Sequence, residues 1–84
     1  MMHPEQLKRL IAAGIACERL DVEGDGDHFE ALIVSGEFAG KSRVVRQQLI
    51  NALLREHFDS GKLHALSMKT LTPQEWDARG AVNG

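Results

Sequence analysis

The stretch CERLDVEGDGDHFEALIVS, residues 17–35, decides how this chain folds. Leu20 and Val22 alternate with Arg19, Asp21 and Glu23, the two-residue period of a strand with one buried face. Gly24, Asp25, Gly26 and Asp27 then break the chain with residues that tolerate turn backbone. From His28 to Ser35 a second strand follows, in which Leu32, Ile33 and Val34 are dense enough for burial on both faces. Two strands about a short Gly/Asp loop predict a β-hairpin, with Cys17 in its first strand.

Working outward, Pro4 suits the first turn of a helix, where its missing N–H is harmless. Leu7, Leu10, Ile11 and Ile15 recur at helical spacing, Lys8 and Arg9 face outward, and Gly14 helps to end the element. Beyond the hairpin, GEFAGK (36–41) reads as a loop and Ser42 as the N-cap of the longest helix. In that helix Val45, Leu49 and Leu53 stand four apart, with Ile50 and Leu54 beside them, and Asp59-Ser60-Gly61 closes it. KLHALSMKTL (62–71) is a third strand, expected to lie parallel to the second because a helix intervenes. Thr72, Pro73 and Glu75 form a capping box that opens a short helix carrying Trp76. Residues 79–84 lack periodicity and are expected to fray. The prediction is a single α+β domain over residues 1–84, its core about 4–78, in the order αββαβα. Its three-stranded mixed sheet is packed on one side by the helices, with Val45, Leu49, Leu53, Leu32 and Val34 contributing to the core.

Composition narrows the function. A chain of 84 residues buries only about 60–65% of its unfolded surface. The formal net charge of −2 lacks the basic surplus with which phosphate-binding proteins usually gain affinity. A single cysteine, Cys17, excludes an internal disulfide and a zinc site made of cysteines alone. The N-terminus shows no apolar signal region, and no apolar run approaches the roughly 20 residues of a membrane span. The expected setting is reduced and cytoplasmic.

The hairpin loop invites a calcium reading, since Asp21, Glu23, Asp25 and Gly26 fall at the first, third, fifth and sixth positions of an EF-hand loop. The twelfth position, which must supply a bidentate Glu, is Leu32. A phosphate cradle fails too, because Phe29 occupies the third glycine position and no helix follows. His28 is left unexplained. None of the four histidines, His3, His28, His57 and His64, pairs at the i, i+4 spacing of a helical zinc site. No serine sits in a nucleophile elbow, and a lone strand cysteine is more often a small buried hydrophobe. Nothing in the residues points to an enzyme.

At GDGDHFEALIVSGEFAGKSRVVRQQLINALL (24–54) and LHALSMKTLTPQEW (63–76) the chain resembles the BolA family, in particular its IbaG-like branch. FAGKSR (38–43) and LHALSMKTLTPQEW are the most specific segments. The likeness implies a type II KH-like αββαβα fold. It also implies partnership with a CGFS-type monothiol glutaredoxin, in a heterodimer that shares a 2Fe–2S cluster with bound glutathione. Iron–sulfur cluster assembly, trafficking or iron sensing follow as expected roles. The family's ligand positions match His64, in the third-strand motif, and His28, in the loop between the first two strands; Cys17 does not match. Taken alone, His64 shares strand parity with Leu66 and Met68 and reads as a semi-buried histidine, whereas the motif makes it a ligand. For His28, the residues alone leave an incidental loop residue and a ligand equally open. His3 and His57 read as a terminal residue and a solvated helix end. The alternative is a KH-like transcriptional regulator that grips nucleic acid through Lys41, Arg43 and Arg46. The KH loop G-x-x-G is missing, however, and GEFAG precedes the wrong helix. A homodimer of the apo protein is the third reading.

Overall fold

The structure, a computed structural model, describes the backbone of residues 2–83 and the side chains of residues 2–79. Its elements are α1 (Pro4–Gly14), β1 (Arg19–Gly24), β2 (His28–Val34), a 3₁₀ turn (Gly36–Phe38), α2 (Arg43–Leu53), α3 (Arg55–Asp59), β3 (Ala65–Leu71) and α4 (Pro73–Asn83). The sheet order is β1-β2-β3. β1 and β2 pair antiparallel, from Arg19 opposite Val34 to Gly24 opposite Phe29. β2 and β3 pair parallel, from His28 opposite Ala65 to Val34 opposite Leu71. The α+β class and the mixed sheet are as the sequence predicts.

Strand parity builds the core. Phe29, Ala31 and Ile33 leave one face of β2 and are buried against Leu7 and Ile11 of α1, Ile15 just after it, Ile50, Leu54 and Leu63. Leu20, Val22, Leu66 and Met68 flank them from the neighbouring strands, partly buried. Gly14 ends α1 where a Cβ would stand 2.7 Å from Leu53 Cδ2, so its missing side chain lets α1 and α2 approach.

Several expectations are corrected. The longest helix is two, because Leu54 (φ −108°, ψ 7°) leaves the helical region and its N–H bonds back to Asn51 at 3.2 Å. That break buries Leu54 completely and turns α3 so that Phe58 packs against the core. The inward stripe of α2 is Ile50 followed by Leu54, whereas Val45 and Leu53 are exposed and Leu49 is half-buried. Leu32 is likewise only half-buried, while Val34 is buried as expected. Cys17 lies before β1, its thiol 3.5 Å from the Ile15 carbonyl. The helices also do not share one side. Arg19 belongs to the face opposite Leu20 and Val22, and its guanidinium lies 4.9 Å from the centre of the Trp76 ring, so α4 lies against that outer face. α4 continues through the aperiodic residues 79–83, and Gly84 lies outside the described residues.

Both predicted N-caps are formed. Ser42 Oγ accepts from the Val45 N–H at 3.2 Å. At α4 the Thr72 N–H donates to Glu75 Oε1 at 2.7 Å, while the Glu75 N–H donates to Thr72 Oγ1 at 3.2 Å. The Thr72 N–H and then the Arg46 guanidinium, which donates to the same Oε1 at 2.7 Å, hold the Glu75 carboxyl below the usual carboxylate range.

Candidate functional site

The loop between β1 and β2 contains only Asp25, Gly26 and Asp27, and Asp25 latches it. Its Oδ1 accepts from the N–H of Asp27 at 3.0 Å and of His28 at 2.9 Å, an Asx turn that satisfies two donors the strand ladder cannot reach. The same two backbone bonds, that of His28 first, hold the Asp25 carboxyl below its ordinary value. Gly26 takes a positive φ of 102°, and Gly24 has no room for a Cβ, which would strike the His28 carbonyl and come within 2.6 Å of the Phe29 ring. The two glycines are therefore what bring His28 into the strand so soon after the turn.

His64 is fixed from both sides. Leu63 is buried and its N–H donates to the His57 carbonyl at 3.0 Å. Ala65 donates to the Asp27 carbonyl at 3.2 Å, which joins the start of β3 to the hairpin loop. Contrary to the parity reading, His64 is no semi-buried core residue: its side chain is 62% exposed, because β3 begins only at Ala65. Its Nδ1 lies 3.5 Å from Asp27 Oδ1. The ring borders a hollow of about 290 Å³ lined by Gly26, Asp27, Ser60, Gly61, Lys62 and His64.

The parallel register sets His28 opposite Ala65, so His28 at the start of β2 and His64, one residue before β3, lie at the same end of the sheet. Their rings engage different neighbours. His28 Nε2 lies 3.3 Å from Ser67 Oγ, and no hydrogen bond joins the two rings. Both imidazoles are exposed. Among the described residues no group of three or more His, Cys, Asp or Glu side chains could hold a metal ion. A larger hollow of about 700 Å³ lies over the sheet beside Trp76 and Leu32, but neither histidine lines it. Asp25 was legible as a turn former, and its role as latch follows from its three-residue spacing to His28. The Asp27–His64 and Ser67–His28 contacts span separate elements, and no sequence spacing marks them.

The three basic residues do not form one free patch. Arg46 has an 11% exposed side chain. It donates to the carbonyls of Lys41 at 2.9 Å and Thr70 at 3.0 Å and to Glu75 at 2.7 Å, and its guanidinium lies over Phe38. Lys41 Nζ donates to the Glu37 carbonyl at 2.9 Å, while Arg43 is exposed. Cys17 is half-buried, and burial, followed by the nearby Glu37 carboxylate, pushes its thiol above the usual value, away from the reactive thiolate.

The fold is that of a small α+β domain with two exposed histidines at one end of its sheet. The profile of the BolA-like proteins matches residues 8–75. The acid stress protein IbaG of Escherichia coli K12 is 32% identical over 83 residues, covering 99% of each chain. The structure of a BolA homologue from Coxiella burnetii superposes with a TM-score of 0.81 at 37% identity, covering 92% of this chain and 99% of that one. The BolA domain of SufE1 from Arabidopsis thaliana follows with a TM-score of 0.78 at 34% identity, over 86% of this chain and 93% of that one. The chain belongs to the BolA family.

Proposed function

We propose that this chain supplies His64 and His28 as ligands to a 2Fe–2S cluster that it shares with a monothiol glutaredoxin and glutathione, in iron–sulfur cluster assembly, trafficking or iron sensing. The observation that carries the reading is the pair of exposed imidazoles at one end of the sheet, His28 opening β2 and His64 just before β3, each on a backbone tied down by hydrogen bonds. The donor set fits a shared site: two neutral imidazoles suit iron, and two thiolates from the partner and its glutathione bring the count to four. Histidine in place of thiolate lowers the cluster's negative charge and raises its potential. A protein that completes its site only with a partner needs no third ligand of its own. A nucleic-acid role has less support, because Arg46 is engaged internally and the net charge is −2.

The test is anaerobic co-purification with a monothiol glutaredoxin and glutathione, read by visible absorption. His64→Ala is expected to abolish the mixed cluster or leave a labile species of altered absorption. His28→Ala acts more mildly, since water or a nearby carboxylate can replace a ligand beside the hairpin loop. His57→Ala and Cys17→Ser leave the spectrum unchanged. A His64→Ala protein that assembles the wild-type cluster refutes the assignment.

A further inference from the structure

We propose that Asp27 is a positioning residue that selects the ligating atom of His64, keeping the ring proton on Nδ1 and presenting Nε2 outward. The inference rests on the reading of His64 as a ligand and adds the residue that prepares it.

A neutral imidazole carries one N–H, and the neighbour of each nitrogen decides where that proton sits. In water the free ring prefers the proton on Nε2, which would leave Nδ1, the nitrogen nearer the backbone, as the lone-pair donor. An ionised carboxylate can only accept, so a carboxylate beside Nδ1 favours the opposite tautomer. Asp27 Oδ1 stands 3.5 Å from that nitrogen. The gap to a charge-assisted hydrogen bond is about 0.7 Å, within the reach of a small side-chain rotation.

Both ends of the contact are held by backbone bonds and not by the contact itself. The Asp27 N–H is bound by the Asp25 carboxylate and the Asp27 carbonyl by the Ala65 N–H. His64 lies between buried Leu63 and that same Ala65. A ligating histidine whose second nitrogen donates to a carboxylate is the arrangement that fixes ring orientation and raises ligand basicity. His28 has no such director, because the Ser67 hydroxyl near its Nε2 can either donate or accept. It therefore serves as an internal reference.

The experiment uses the full-length ¹⁵N-labelled apo protein and long-range imidazole correlation spectra about two pH units above the ordinary histidine pKa. Wild-type His64 is expected mainly as the Nδ1–H tautomer. Asp27→Ala shifts the majority to Nε2–H, and Asp27→Asn, whose amide can donate as well as accept, no longer directs the proton and also loses the Nδ1–H majority. His28 is unchanged in all three. The loop's backbone bonds need only the Asp25 side chain and the Asp27 peptide, so the alanine variant keeps its fold. A wild-type His64 found as Nε2–H, or a tautomer ratio that Asp27→Ala does not move, overturns the proposal. With the glutaredoxin and glutathione, Asp27→Ala is expected to lose the mixed cluster about tenfold faster or more. Loss at the wild-type rate also overturns it. A wild-type protein that forms no mixed cluster overturns the ligand reading of His64, and the tautomer spectra separate that failure from a failure of Asp27 to direct the ring.

Discussion

Replacing Arg46 with alanine tests whether this arginine is a structural clamp or a surface charge. Its Nη1 donates to the Thr70 carbonyl at 3.0 Å and its Nε to the Lys41 carbonyl at 2.9 Å, from a side chain that is 11% exposed. A hydrogen bond to a charged group contributes about 1.5–3 kcal/mol. Thr70 is only 7% exposed, so its carbonyl finds little water once the guanidinium is gone, and about 2 kcal/mol is assigned there. Lys41 is exposed, and its carbonyl is rehydrated at little loss. Stacking on the Phe38 ring contributes about 0.5–1 kcal/mol. The ion pair with Glu75 is left out of the sum, since that half-exposed carboxylate is screened by solvent. The total is about 3 kcal/mol, and at about 4–8 °C per kcal/mol for a chain of this size Tm falls by about 12–24 °C. Thermal unfolding followed by circular dichroism measures it, with Arg43→Ala as the exposed control expected within about 0.5 kcal/mol of wild type. An Arg46→Ala protein as stable as the Arg43→Ala control refutes the clamp and returns Arg46 to the basic surface.

Three further outcomes follow from the same structure. Leu54→Ala is expected to destabilise by about 2–5 kcal/mol in urea unfolding, while exposed Val45→Ala stays within about 1 kcal/mol; equal losses would contradict the inward stripe of α2. Gly24→Ala places a Cβ against the His28 carbonyl and the Phe29 ring, and is expected to lower stability by about 2 kcal/mol or more and to shift the His28 amide resonance. Asp25 has a folded pKa below its unfolded value, so its contribution is complete above the ordinary carboxylate range and disappears as pH falls through the folded value. The Tm difference between wild type and Asp25→Ala is therefore expected to be constant near neutrality and to shrink below about pH 4; a difference that widens on acidification would contradict the latch.

Local chemistry, legible in the sequence, determined the elements and much of their order. Alternation of Leu20 and Val22 with charged residues, the Gly/Asp loop, the Ser42 cap and the Thr72/Glu75 box each act within a few residues, and the structure forms all of them. Family resemblance nominated His28 and His64 from short motifs, and the structure places His28 at the start of β2 and His64 one residue before β3. Tertiary packing alone decided which apolar stripe of α2 faces inward. Val45, Leu49 and Leu53 fit a helical period as well as Ile50 and Leu54 do, and only the position of the core behind the helix distinguishes them. It also decided that Arg46 bridges Lys41, Thr70 and Glu75, residues up to 29 positions away, and that α4 crosses to the far face of the sheet. The contact of Asp27 with His64 belongs to the same class. Hydrophobic periodicity and capping are short-range and repeat within one element, whereas a polar contact between two loops exists only after β2 and β3 have paired in a particular register.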